Sequence, residues 1–155
     1  MDEQSVADSE IRGVRFRGPA PIAKTGDCGI IGGVKLLYLE DDPRDVELLQ
    51  MLCEQEAPDC EITPVMDRKT FIAALQSGHH EGILSDSAVF DLAGPEAVKL
   101  ARSLAPKLPY VFFCGTMTQA RRGELLSANP DGMFSKDHPE HLGDAIALLR
   151  KLRGR

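Results

Sequence analysis

The stretch LLYLEDDPRD (Leu36–Asp45) decides the fold, because it carries an apolar run straight into three adjacent carboxylates and then a proline. The run LLYL has no polar alternation and reads as a strand buried on both faces. Asp42 ahead of Pro43 reads as a helix N-cap followed by proline at the first helical position, where a missing N–H costs nothing. Between these two signals Glu40 and Asp41 repel each other and Asp42. Either the run is a solvated helix start, or it lines a site that receives a cation.

Outward from this stretch the same unit recurs. VKLLYL is followed by DPRDVELLQMLCEQEA, EITPVM by DRKTFIAALQSG, GILSD by GPEAVKLARSLA, YVFFCG by TQARRGELLSA, and GMFSK by DHPEHLGDAIALLRKL. Short apolar runs thus alternate strictly with amphipathic segments, five times over. In the first amphipathic segment Val46, Leu49, Leu52 and Cys53 share one stripe, and in the last Leu142, Ile146, Leu149 and Leu152 do the same. Gly94 before Pro95 repeats the cap-proline signal, and Asp137 with Glu140 three residues on has the form of a capping box. Continuous apolar strands joined by helical crossovers predict an α/β protein: a doubly wound, five-stranded parallel sheet with helices on both faces.

The domain is expected to span residues 34–155. Residues 1–33 lack apolar periodicity, carry scattered charge and contain GPAP and GIIGG, and so read as a flexible N-terminal extension. At 155 residues, 43% of them hydrophobic, the chain has material for one domain with a real core. A net charge of -6 argues against nucleic acid as a partner. The basic ending RKLRGR is explained by the negative end of a helix dipole. Cys28, Cys53, Cys60 and Cys114 show no CxxC spacing, which predicts reduced thiols and neither a zinc site nor a disulfide framework. No apolar stretch is long enough to span a membrane and no basic-then-apolar leader opens the chain, so a cytoplasmic location is expected. His79, His80, His138 and His141 read as surface residues, and QARRG (Gln119–Gly123) as a solvated helix face.

Ligands of doubly wound sheets bind at the carboxyl ends of the strands. Those ends bring together Glu40, Asp41 and Asp42; Asp86; Cys114, Gly115 and Thr116; and Lys136. A carboxylate closing the apolar run GIL is costly to desolvate unless a cation or donors meet it. A hard divalent cation held by Glu40, Asp41 and Asp86 resolves the repulsion, and Mg²⁺ fills its other positions with water and phosphate oxygens. Asp86 then becomes a candidate nucleophile and Lys136 a charge partner for transferred oxygens, so the rim is suited to phosphoryl transfer onto an aspartate.

From about Val34 to Leu152 the chain resembles the receiver domain of two-component response regulators, of the CheY-like superfamily with its flavodoxin-like fold. The resemblance lies in the order and spacing of YLEDDP, ILSDS, VFFCGT and FSKD. It implies that Asp86 is the phosphoacceptor, that Glu40 and Asp41 arrange Mg²⁺ with Asp41 preferred as direct ligand, and that the backbone carbonyl of Ala88 is a further ligand. It likewise implies that Lys136 contacts the phosphoryl oxygens. Such a domain is not an enzyme: it accepts its phosphoryl group from a sensor histidine kinase or a histidine phosphotransfer protein and acts on a downstream protein partner. With the chain stopping after the fifth helix, a stand-alone receiver is expected, and the face of the fourth helix, fifth strand and fifth helix is the expected docking or homodimer surface.

The departures from the family are specific. Cys114 occupies the position of a Thr or Ser whose hydroxyl binds the phosphoryl group, and Thr116 substitutes only if its loop bends inward. Met133 stands where a switch aromatic is usual, Asp137 where a proline often follows the lysine, and Phe90 where a proline is common after the phosphoacceptor. These differences support an alternative, a phosphorylation-independent interaction module that keeps the acidic pocket. An aspartate-nucleophile phosphatase is disfavoured, because Ala88 stands where such enzymes place a second acid.

Overall fold

The computed structural model describes residues 33–153. The expected N-terminal extension therefore lies, but for Gly33, outside the described residues. In chain order the elements are β1 (Val34–Leu39), α1 (Pro43–Glu56), β2 (Cys60–Val65), α2 (Arg68–Ser77), β3 (Gly82–Ser85), β4 (Ala88–Val89), β5 (Leu92–Ala93), α3 (Gly94–Leu104), β6 (Tyr110–Cys114), α4 (Gln119–Ser127), β7 (Gly132–Ser135) and α5 (His141–Leu152). Five of the strands form one parallel sheet in the order β2-β1-β3-β6-β7. The order reverses between β1 and β3, which places a crevice at their carboxyl ends.

The two-residue period of the strands sorts the core into two layers. Leu37, Leu39, Ile83, Tyr110, Phe112 and Cys114 join Phe71, Leu75, Val98 and Leu125 of α2, α3 and α4. Leu36, Tyr38, Leu84, Val111 and Phe113 point the other way and join Leu49 and Cys53 of α1 with Leu142, Ile146 and Leu149 of α5. Fully burying each such leucine or phenylalanine contributes about 1.5–3 kcal/mol. The predicted stripes of α1 and α5 face this second layer, with Val46 and Leu52 partly buried against it. Pro64 falls in the edge strand β2, the place in a sheet where a proline is tolerated.

Helix starts follow the sequence signals in part. Asp42 caps α1, accepting from Arg44 N at 2.9 Å, with Pro43 in the first turn. Asp67 caps α2 by accepting from Thr70 N, and Gly78 ends that helix in the left-handed region at φ 73°. The alternation of β and α, by contrast, is not strict: β4 and β5 form an antiparallel hairpin between Asp86 and α3. That hairpin takes Ala93 as the residue before the helix, so α3 begins at Gly94, one residue earlier than the cap-proline signal indicates, and without a side-chain cap. Gly94 is required there, since a Cβ would collide with the Ser87 carbonyl oxygen and lie 2.6 Å from Leu125 Cδ2.

The capping box at Asp137 and Glu140 does not form. Helix α5 begins at His141, Glu140 is its uncapped N-terminal residue, and the Asp137 carboxylate bonds Thr116 instead. Pro139 accounts for the delay, because the residue before a proline avoids helical geometry. His80 and His141 are half-buried rather than surface residues; the His141 ring packs 4.9 Å from that of His138 and 6.4 Å from that of Phe134.

Candidate functional site

Backbone ladders deliver the site residues to one rim. Glu40 N donates to Val65 O at 3.0 Å, Asp86 N to Leu39 O at 3.0 Å, and Lys136 N to Cys114 O at 2.9 Å. Each is the first residue past the end of its strand, so strand length alone sets Glu40, Asp86 and Lys136 side by side.

Lys136 is the hub. Its Nζ lies 2.5 Å from Glu40 Oε1, 3.2 Å from Asp45 Oδ2 and 3.7 Å from Asp86 Oδ1. The lysine is 18% exposed and Glu40 only 1%. Burial works against the ammonium charge, but the Glu40 and Asp86 carboxylates help to offset it, and Lys136 is held above the ordinary lysine range. Burial raises the Glu40 carboxyl, the Asp86 charge adds to the rise, and the Lys136 ammonium opposes it. Burial pushes the Tyr38 phenol up as well, so it stays protonated and donates to Glu40 Oε1 at 3.3 Å.

Both oxygens of Glu40 are engaged inside the protein, Oε1 by Lys136 and Tyr38 and Oε2 by the Asp42 N–H at 3.1 Å. Glu40, expected beside Asp41 at the metal, is here engaged at both oxygens by protein donors, the Lys136 ammonium among them. Asp41 sits higher, with Oδ2 accepting from Phe90 N at 2.8 Å. Asp86 Oδ1 accepts from Ser87 N at 2.8 Å, and Ser85 Oγ donates to the Asp86 carbonyl at 2.7 Å. Ala88 opens the β4–β5 hairpin directly beyond.

Among the described residues no three acidic, histidine or cysteine side chains converge as a metal cage. The carboxylates at this rim, Asp41 and Asp86, offer hard oxygens to a cation. A partial oxygen set of this kind fits Mg²⁺, which keeps water and phosphate oxygens in its remaining positions.

The far wall is different in kind. Cys114 is 2% exposed and packs in the first core layer. Burial, and then the Asp86 charge, push its thiol up to about 11, so it is a neutral, weak donor. The Thr116 hydroxyl donates to the Asp137 carboxylate across the two loops. Met133 is partly buried against the same layer as Cys114.

Three site features escape the sequence. Asp45, to which the sequence assigns no role, meets Lys136. Phe90, 95% exposed, uses its backbone to tie the hairpin to Asp41. Arg121, expected on a solvated face, is half-buried and donates from Nη2 to the Ser87 carbonyl at 3.0 Å. Only the acidic residue in the first turn of α1 leaves any signal in the sequence.

No protein-family model and no curated relative matches the chain in sequence. Its fold, a five-stranded parallel sheet between two helical layers, is nonetheless similar to that of solved CheY-like receiver domains. The receiver domain of a sensor histidine kinase from Pseudomonas aeruginosa, with a magnesium ion coordinated in its active-site cleft, superposes with a TM-score of 0.65 at 20% identity, covering 77% of this chain and 98% of that one. The chemotaxis protein CheY4 of Vibrio cholerae gives 0.64 at 19% identity over 76% and 98%. A CheY-like receiver domain protein of Methanospirillum hungatei gives 0.66 at 20% identity over 77% and 96%. No helix among the described residues is long and apolar enough to cross a membrane.

Proposed function

We propose that the chain is a response-regulator receiver that accepts a phosphoryl group on Asp86 with Mg²⁺ bound by Asp41, Asp86 and the Ala88 carbonyl, and that it signals through contact with other proteins. The single observation that carries this reading is Lys136 held between buried Glu40 and Asp86 at the carboxyl ends of β1, β3 and β7. The donor is a phosphohistidine of a sensor kinase or phosphotransfer protein. An Asp86 oxygen forms a bond to phosphorus as the N–P bond breaks; the imidazole nitrogen keeps the electron pair and is reprotonated from solvent. Bound Mg²⁺ supplies charge neutralisation at the phosphoryl oxygens. Lys136 adds a second cation on the other side, already paid for in desolvation and fixed by Glu40, so it reorganises little during transfer.

A second reading is favoured by one feature. A thiol stands at position 114 and the Thr116 hydroxyl is held by Asp137, which suits an interaction module indifferent to phosphorylation. Incubation with Mg²⁺ and acetyl phosphate separates the two. The receiver gives an Mg²⁺-dependent acyl phosphate that Asp86→Asn lacks; absence of that label in the native chain sinks the acceptor reading and leaves the module.

A further inference from the structure

A phosphoryl group on Asp86 presents three oxygens, and the wall that should serve one of them lacks its hydroxyl. Lys136 approaches one side, the Ser87 N–H already points at Asp86 Oδ1, and Mg²⁺ accounts for a third direction in part. Toward α4 the only donor on the strand is the buried, neutral Cys114 thiol, and Thr116 is occupied by Asp137.

Arg121 stands at this gap. Thr118 caps α4 by accepting from Arg121 N at 3.1 Å, which fixes Arg121 in the first turn. Its guanidinium reaches back to the residue that follows Asp86, with Nη2 on the Ser87 carbonyl and Nη1 on Glu124 Oε1 at 3.1 Å. Ser87 is the residue next to Asp86, and the charges of Arg121 and Arg122 both reach the Cys114 thiol. Arg121 is 32% exposed, so part of its side chain meets solvent.

We propose that Arg121 is the phosphoryl-contacting donor that stands in for the missing hydroxyl, exchanging the neutral Ser87 carbonyl for a phosphoryl oxygen when Asp86 is phosphorylated. The exchange runs in that direction because a guanidinium pairs more strongly with an anionic phosphoryl oxygen, which matches its fork of donors, than with a neutral carbonyl. It also relocates the switch: the moving group belongs to α4 itself, so the helix responds without a hydroxyl on β6 or an aromatic at Met133. This inference rests on the acceptor role of Asp86 proposed above.

The test uses beryllofluoride with Mg²⁺ on the full chain, read by fluorine NMR for affinity and by guanidinium nitrogen NMR for Arg121, with Asp86→Asn as the blank. Arg121→Gln is expected to weaken beryllofluoride binding about tenfold while leaving the affinity for Mg²⁺ alone unchanged, and Arg121→Lys to recover part of the loss. The Arg121 guanidinium resonances of the native chain are expected to shift on addition of beryllofluoride. Equal affinity in native chain and Arg121→Gln, or unmoved guanidinium resonances with beryllofluoride bound, overturns the proposal while leaving the acceptor reading intact. A native chain that binds no beryllofluoride overturns both. Where Arg121→Gln does not fold, the guanidinium shift in the native chain decides alone.

Discussion

Lys136 Nζ lies 2.5 Å from Oε1 of Glu40, a carboxylate that is 1% exposed, and this pair is the floor of the acidic site. Removing one member of a buried pair costs more than the pair contributes, because the other charge is stranded. Lys136→Met is therefore expected to destabilise the fold by about 3 kcal/mol at pH 7. The loss shrinks at mildly acidic pH, where Glu40, whose carboxyl burial already raises, takes up a proton. Chemical denaturation at the two pH values measures both effects; equal losses at both contradict a stranded Glu40.

Asp41 and Glu40 are adjacent in sequence but unequal in the site. Asp41→Asn keeps an oxygen to accept from the Phe90 N–H, so stability should hardly move, whereas Mg²⁺ affinity by calorimetric titration should fall at least about tenfold. Unchanged Mg²⁺ affinity would remove Asp41 from the ligand set.

Gly94 is fixed by backbone proximity. In Gly94→Ala the new methyl meets the Ser87 carbonyl and Leu125, and overpacking of this kind costs about 1–3 kcal/mol. Since the Ser87 carbonyl also receives Arg121, the amide resonances of Ser87 and Arg121 should shift together in this variant.

His80 sets a pH dependence remote from the site. Burial, and then the neighbouring His79, lower its pKa below the ordinary 6.5. A group with a depressed folded pKa contributes stability that is present above its unfolded pKa and lost as pH falls through the folded one. Thermal unfolding between pH 7.5 and 5.5 should therefore show a decline that is smaller in His80→Gln; parallel declines would exclude His80 as the source.

Cys114 is expected to be inert. With its thiol at about 11 and its side chain buried, alkylation in a Cys28→Ser background at pH 7.5 should be far slower than in denatured protein. Cys114→Thr should enlarge the beryllofluoride-induced amide shifts in α4; if it does not, the hydroxyl is not what this wall lacks.

The sheet was legible because its signals are local and redundant. The runs at Leu36, Ile83 and Tyr110 are apolar on both faces, and Asp42 with Pro43 marks its helix without help from elsewhere. Glu40, Asp86 and Lys136 were legible for a related reason, since a polar residue just past a buried strand is placed by the strand. What failed depends on partners distant in sequence. Asp137 has the form of a cap, but Thr116, 21 residues away, takes its carboxylate. Arg121 looks solvated until α4 is laid beside Ser87, 34 residues earlier. The β4–β5 hairpin is too short to show a period at all.

The chain has no tryptophan and only two tyrosines, and both are buried. Tyr38 lies under the acidic site with its hydroxyl on Glu40, while Tyr110 faces the opposite core layer. The protein therefore contains its own optical gauge: one of its two ultraviolet fluorophores is wired to the site through a single carboxylate. Changes in the Glu40–Lys136 pair can be followed in unlabelled protein as a change in tyrosine emission that Tyr38→Phe abolishes.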